Sequence, residues 1–191
     1  MDNDLKTYLY NSINDIQSTI RALDAKIGFV FVILSLPFSN LGKIYNTCSS
    51  LLTSCNRDVI LYAVFFVTFF TMSWILAFIS TIRTIISIEN PSDHIINGEE
   101  QLGTFYCGGL FDVGFVDSLL NRKSVKANKD VRSYTECFPS SDEDIIQELV
   151  FEQMKLAYIR DIKSIRQKWA YRFTAMWLSS GLIVYLLNKI I

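Results

Sequence analysis

The stretch VILYAVFFVTFFTMSWILAFISTIRTIISI (59–88) decides the fold. From Val59 to Ile82 it runs 24 residues without a charge. About 20 apolar residues cross a hydrocarbon core of about 30 Å. Leu, Ile, Val and Phe occur all round the stretch, so no face is left for water. The alternative is a buried helix of a soluble protein, but such helices are usually shorter. The stretch therefore reads as a transmembrane helix, and the rest of the chain as membrane-protein sequence.

Toward the N-terminus, apolar residues stand at Leu5, Leu9, Ile13, Ile16, Ile20, Leu23 and Ile27. Spacings of three and four make one helical stripe, so 1–26 reads as an amphipathic stalk that Asn3 or Asp4 would cap. These 26 residues are mostly polar and do not read as a secretory signal. IGFVFVILSLPFSNLG (27–42) then runs 16 residues without charge. With a snorkelling Lys43 and an interfacial Tyr45 it makes a first span over 27–45, which Pro37 is expected to kink. A re-entrant hairpin is the alternative. NTCSSLLTSCNRD (46–58) reads as an external polar connector. The second span covers 59–88, and Pro91 bars its continuation.

Residues 89–140 differ in composition, with Gly98, Gly103, Gly108, Gly109, Gly114 and scattered charges. They read as a small irregular soluble insert, with strands over 104–111 and 131–138 and a short helix over 116–123. Ser140 with Glu143 has capping-box spacing, and acids there favour the positive end of a helix dipole. A second stalk follows over 141–172. Its apolar stripe is Phe151, Met154, Tyr158, Ile162, Ile165, Trp169, Phe173 and Met176, and its outer face carries Glu152, Lys155, Arg160, Lys163, Arg166 and Lys168. Residues 173–191 hold one charge, Lys189, in 19 residues and read as a third span. An unbroken helix over 142–188 would be about 70 Å long. The fold class is thus an all-α membrane protein: three transmembrane helices, long cytoplasmic helical stalks and a small insert.

Lysine and arginine counts set the orientation. Fourteen lie in the N-terminal stalk and in 89–172, against three in the connector and tail, with Arg83 at the boundary. The N-terminus and insert are then cytoplasmic, in a multi-pass inner-membrane protein. Both stalks enter the membrane in the same direction, so their stripes can cover each other as a parallel pair. The same stripes could also pair between subunits. Cys48 and Cys55 fall in the external connector, where a disulfide is an option if that side is oxidising. Free thiols are the alternative.

Net charge is −1, so no global field draws nucleic acid. There is no phosphate-cradling glycine loop, nucleophile elbow or HExxH motif. One histidine, His94, leaves little material for a Ser-His or Cys-His mechanism and no ligand set for zinc. No catalytic residue, metal or cofactor is expected. Three groups are candidates for function. Asp24 and Lys26 stand at the mouth of span one, to pair across helices or as ordinary interfacial charge. Arg83 closes span two, where snorkelling to head groups is the simpler role. Arg122, Lys123, Lys126, Lys129 and Arg132 form a basic cluster in the insert, for a phosphate-bearing ligand or as a solvated face. Gly181 and Ser179-Ser180 offer close helix contacts.

LDAKIGFVFVIL (23–34) resembles the D-x-K-A opening of the first span in the transmembrane effectors of bacterial Pycsar (pyrimidine cyclase) antiphage systems. The apolar second span, NP at 90–91 and FYCGG (105–109) resemble the family's pattern in the same order. So does the closing helix QELVFEQMKLAYIRDIKSIRQKWAYRFTAMWLSSGLIV, with a lysine ahead of its final span. Ile27 departs from the small residue usual there, and Gly109 from the usual His. The resemblance implies an abortive-infection effector. A partner cyclase makes cyclic UMP or cyclic CMP, and the effector then impairs the inner membrane, as a homo-oligomer in contact with lipid. Two rivals stand beside it: a non-lytic membrane adaptor, and a small channel subunit with no nucleotide ligand.

Overall fold

The computed structural model describes residues 2–54, 57–86, 88, 91–96, 110, 127–136 and 138–190. Helix α1 spans Asp2–Ser39, α2 Leu41–Ser54, α3 Arg57–Ile85, α4 Val131–Thr135 and α5 Asp142–Ile190. A single 3₁₀ turn covers Pro91–His94. Among the described residues no strand occurs and the regular elements are all helical. Among them two helices are long and apolar enough to cross a membrane, over Asp4–Ser39 and Ile60–Ile85. The chain divides into two compact units: 1–18 with 89–159, and 19–88 with 160–191.

In the first unit, α1 and α5 lie parallel, α1 packing through its expected stripe and α5 through residues outside its own. Leu9 and Ile13 pack on Leu149, flanked by Ile145, Ile146 and Leu156. Lys6 Nζ meets Asp142 Oδ1 at 2.7 Å, and Gln153 donates to Ser12 Oγ at 2.7 Å. The start of α5 is a reciprocal cap. Asp144 N–H donates to Ser141 Oγ, and Ser141 N–H donates to Asp144 Oδ2, both at 3.1 Å. The cap therefore sits one residue beyond the expected Ser140–Glu143 pair. Asp reaches back as Glu would, and these bonds hold its carboxyl below the ordinary value. Residues 131–135, expected as strand, are the helix α4, because Asp130 accepts the Ser133 N–H at 2.9 Å and starts a turn. The expected strand over 104–111 and helix over 116–123 lie outside the described residues, except that Leu110 O accepts Asn128 N–H at 2.8 Å.

In the second unit, Ile27, Val30, Leu34, Ala77, Ala170 and Trp177 form the core, with Phe70, Trp74, Phe78 and Phe173 against it. Helix α1 runs on through Pro37 and stops two residues later. Asn40 N–H then turns back to Pro37 O at 3.0 Å, and Ile44 N–H to Asn40 O restarts the helix as α2. Proline has no N–H for the preceding turn, so the helix is weakest there. The expected polar connector over 46–58 is therefore helical as far as Ser54. Its hydroxyls do not compete with the helix, because they bond back to it: Ser50 Oγ to Thr47 O and Thr53 Oγ1 to Ser49 O. Trp74 Nε1 donates to Leu34 O at 3.0 Å and ties α3 to α1 one turn before Pro37.

Beside this core, α3 and α5 also turn small and polar residues inward, Ser73, Ala77, Thr81 and Thr84 on α3. Helix α5 turns Lys163, Gln167, Ala170, Thr174, Trp177, Ser180 and Val184 inward. Ile165, Trp169 and Met176, expected in the apolar stripe, stand outside with Leu178 and Leu182. Only 17% of the Ile60–Ile85 window is buried within the protein. A soluble core helix buries its apolar side chains. In lipid, small and polar residues turn inward and apolar ones remain outside.

Candidate functional site

The inward face of α5 leads to the best-defined polar feature of the second unit. Lys163 Nζ donates to Asp24 Oδ1 at 2.5 Å. Lys163 is 7% exposed, whereas the Asp24 carboxylate keeps an open side. The helical phase explains the placement. Asp24 lies one turn before Ile27 and Lys163 two turns before Ala170, and both of those residues are in the core. The lysine stem fills apolar space and its head reaches the carboxylate. A buried ammonium without that partner would be costly. Sequence spacing had put Lys163 on the outer face. The signal that could have placed it inside was its own period: Lys163, Gln167, Ala170, Thr174 and Trp177 repeat at three and four.

Of the other charges at this level, Lys26 is exposed. Arg83 is exposed at its side chain, and its carbonyl accepts Arg166 Nη1 at 2.8 Å. Arg166 thus satisfies an end carbonyl of α3, where a cation also suits the helix dipole. Arg172 lies over the Trp169 ring at 5.0 Å, and Trp169 stacks on Phe173 at 5.8 Å.

The first unit holds a buried carboxylate. Glu152, expected on the outer face, is 1% exposed. It pairs with Lys155, which also lies over the Phe151 ring at 4.6 Å. Burial pushes the Glu152 carboxyl above its ordinary value, and Lys155 opposes the shift. His94, expected as a solvated loop residue, is exposed and also stacks on Tyr158 at 4.6 Å.

Of the basic cluster, Arg122, Lys123 and Lys126 lie outside the described residues. Lys129 and Arg132 are exposed, and Arg132 meets Glu136 at 3.7 Å. Cys48 carries a free thiol. Cys55 lies outside the described residues, and with it the pairing of Cys48 and Cys55. Gly181 is used within the chain: a Cβ there would come 2.9 Å from the Phe70 ring. Among the described residues no group of three His, Cys, Asp or Glu is placed to hold a metal. In comparison with known proteins, the chain matches no family model, no curated protein and no solved structure.

Proposed function

We propose that this chain is a membrane effector of antiphage defence. In this reading it sits in the bacterial inner membrane, N-terminus cytoplasmic, and impairs that membrane when a cyclic pyrimidine nucleotide accumulates. The carrying observation is the second unit, whose α3 and α5 turn small and polar residues inward beside the apolar core and leave large apolar side chains outside. Residues 173–191 act as the third span beside 27–45 and 59–88, because α5 continues into them with the same pattern. The Asp24–Lys163 pair gives physical meaning to the D-x-K-A resemblance. It fixes the point at which α1 and α5 leave the polar phase together.

The reading also needs an arrangement that a ligand can shift. A ligand moves an equilibrium only by its differential affinity for the two states. Two buried polar atoms in the second unit, Thr81 Oγ1 and Trp177 Nε1, find no partner among the described residues. Such atoms leave free energy to be gained by repacking. Helices α1 and α5 each belong to both units, so a change in the first has covalent paths into the second. Several copies would supply the breach, since three spans seldom enclose a pore alone.

Membrane potential in a bacterium expressing the chain, read with a voltage-sensitive dye, tests this reading. Depolarisation only with an active pyrimidine cyclase is expected. Full potential with the nucleotide present would reject it and leave a non-lytic adaptor. Depolarisation without the cyclase would instead point to a constitutive channel.

A further inference from the structure

At the end of α3, a cleft of about 380 Å³ opens between Ser80, Arg83, Arg166, Trp169 and Phe173. Two guanidiniums line it and no carboxylate does. Neither arginine is ion-paired among the described residues. Of the other cations of this stretch of α5, Lys163 is paired with Asp24 and Arg160 with Asp161, Arg172 lies over the Trp169 ring, and Lys168 is exposed outside the cleft lining. No carboxylate among the lining residues balances the two guanidiniums, and two like charges at one opening favour an anion there.

Position narrows the choice of anion. The charge-free run of α3 ends at Arg83, and the apolar run of α5 begins at Phe173. The cleft thus stands where two apolar helix surfaces turn polar, and one side of it is aromatic. Arginine presents a planar fork that matches phosphate oxygens, and indole favours the boundary between apolar and wet surroundings. The Arg166 fork is held in place by the Arg83 carbonyl. We infer that this cleft binds a phosphodiester monoanion, with Arg83 and Arg166 on its oxygens and Trp169 and Phe173 against its apolar body. A phospholipid head group and a soluble phosphodiester share that chemistry. The inference stands on the second unit alone and does not depend on the defence reading.

The test uses the full chain in detergent, with native mass spectrometry of retained phosphatidylglycerol against phosphatidylcholine. The unaltered chain is expected to favour phosphatidylglycerol at least about tenfold. Arg83→Gln with Arg166→Gln abolishes that preference. Lys26→Gln, which removes an exposed cation outside the cleft, preserves it. Arg83→Gln alone leaves the bond from Arg166 intact, because that bond uses the Arg83 backbone, and it serves if the double variant fails to fold. Glycerophosphoglycerol, a phosphodiester without acyl chains, separates the sources. Displacement of lipid from the unaltered chain assigns a ligand from solution, and retention assigns the membrane lipid. An unaltered chain with no preference, or an Arg83→Gln chain that retains it in full, overturns the site.

Discussion

Both units have an apolar core, but the second also turns polar side chains of α5 inward and leaves many large apolar ones outside. In the first, Leu9, Ile13 and Leu149 are inside, as in any water-soluble helical pair. In the second, Lys163, Gln167, Thr174 and Ser180 are inside, while Phe29, Phe65, Leu61 and Leu182 are outside. The same two helices, α1 and α5, contribute to both. On the proposed membrane reading, solvent rather than helix propensity sets which face turns inward. In water, burying apolar area is the driving force. In lipid that force vanishes, and close contact with satisfied polar groups takes its place. The buried hydroxyls follow the second rule. Thr174 bonds to Ala170 O and Ser180 to Trp177 O, each within its own helix.

The sharpest way to break this contrast is to truncate a leucine in each unit. Leu149→Ala empties a site 1% exposed and should cost about 3 kcal/mol in unfolding of the detergent-solubilised chain. Leu182→Ala, at a site 60% exposed, should cost less than about 0.5 kcal/mol in the same assay. Equal losses would erase the distinction. Next comes the ion pair. Asp24→Ala leaves Lys163 buried without its carboxylate and should cost about 2 kcal/mol, reduced from a fully buried pair by the open side of Asp24. Lys163→Met keeps the stem's volume and should cost less than Asp24→Ala. The reverse order in thermal melts would mean that the lysine is not the stranded partner. A smaller effect, about 1 kcal/mol, is expected for Gly181→Ala, whose Cβ must push Phe70 aside.

The smallest effect is a pH dependence confined to the first unit. The folded Glu152 carboxyl titrates above its ordinary 4.5, because burial disfavours the charge. The folded form therefore holds a proton that the unfolded form has released. Stability should rise as pH falls through the folded value and level off below 4.5. Asp144 has the opposite sign, its depressed value giving a contribution lost only as pH falls below 3.8. Glu152→Gln should flatten the rise above pH 4.5 in a urea-unfolding series. A slope unchanged by the substitution would assign it to another group.

Much of this was legible in the sequence, because hydrophobic length and period are strong signals. The apolar helix of 59–88 was readable, and so was the α1 side of the stalk contact, Leu9 and Ile13; its α5 side, Leu149 with Ile145, Ile146 and Leu156, lies outside the expected stripe. What could not be read was the rule for facing. Of the eight residues of the expected stripe on α5, Phe151 is buried, Tyr158, Ile162 and Phe173 are half-buried, and Met154, Ile165, Trp169 and Met176 are exposed. A hydrophobic period locates a helix, but it does not say which of its faces turns inward. The helix over Leu41–Ser54 was hidden because Asn, Ser and Thr usually signal a connector, and only back-bonding keeps them helical. The Asp24–Lys163 pair was half legible. Pairing across helices was one of two readings for Asp24, but its partner had been placed on the wrong face.

Nitroxide labels on the chain in lipid vesicles test the account most directly. Native cysteines would be replaced first, and labels placed singly at Phe65 and Leu182 in the second unit and at Tyr8 and Val150 in the first, all exposed positions. The account predicts that oxygen relaxes the first two labels while a water-soluble nickel chelate does not, and that the chelate reaches the other two. Chelate access at Phe65 and Leu182 equal to that at Tyr8 and Val150 would contradict it, because the apolar faces of the second unit would then be open to water.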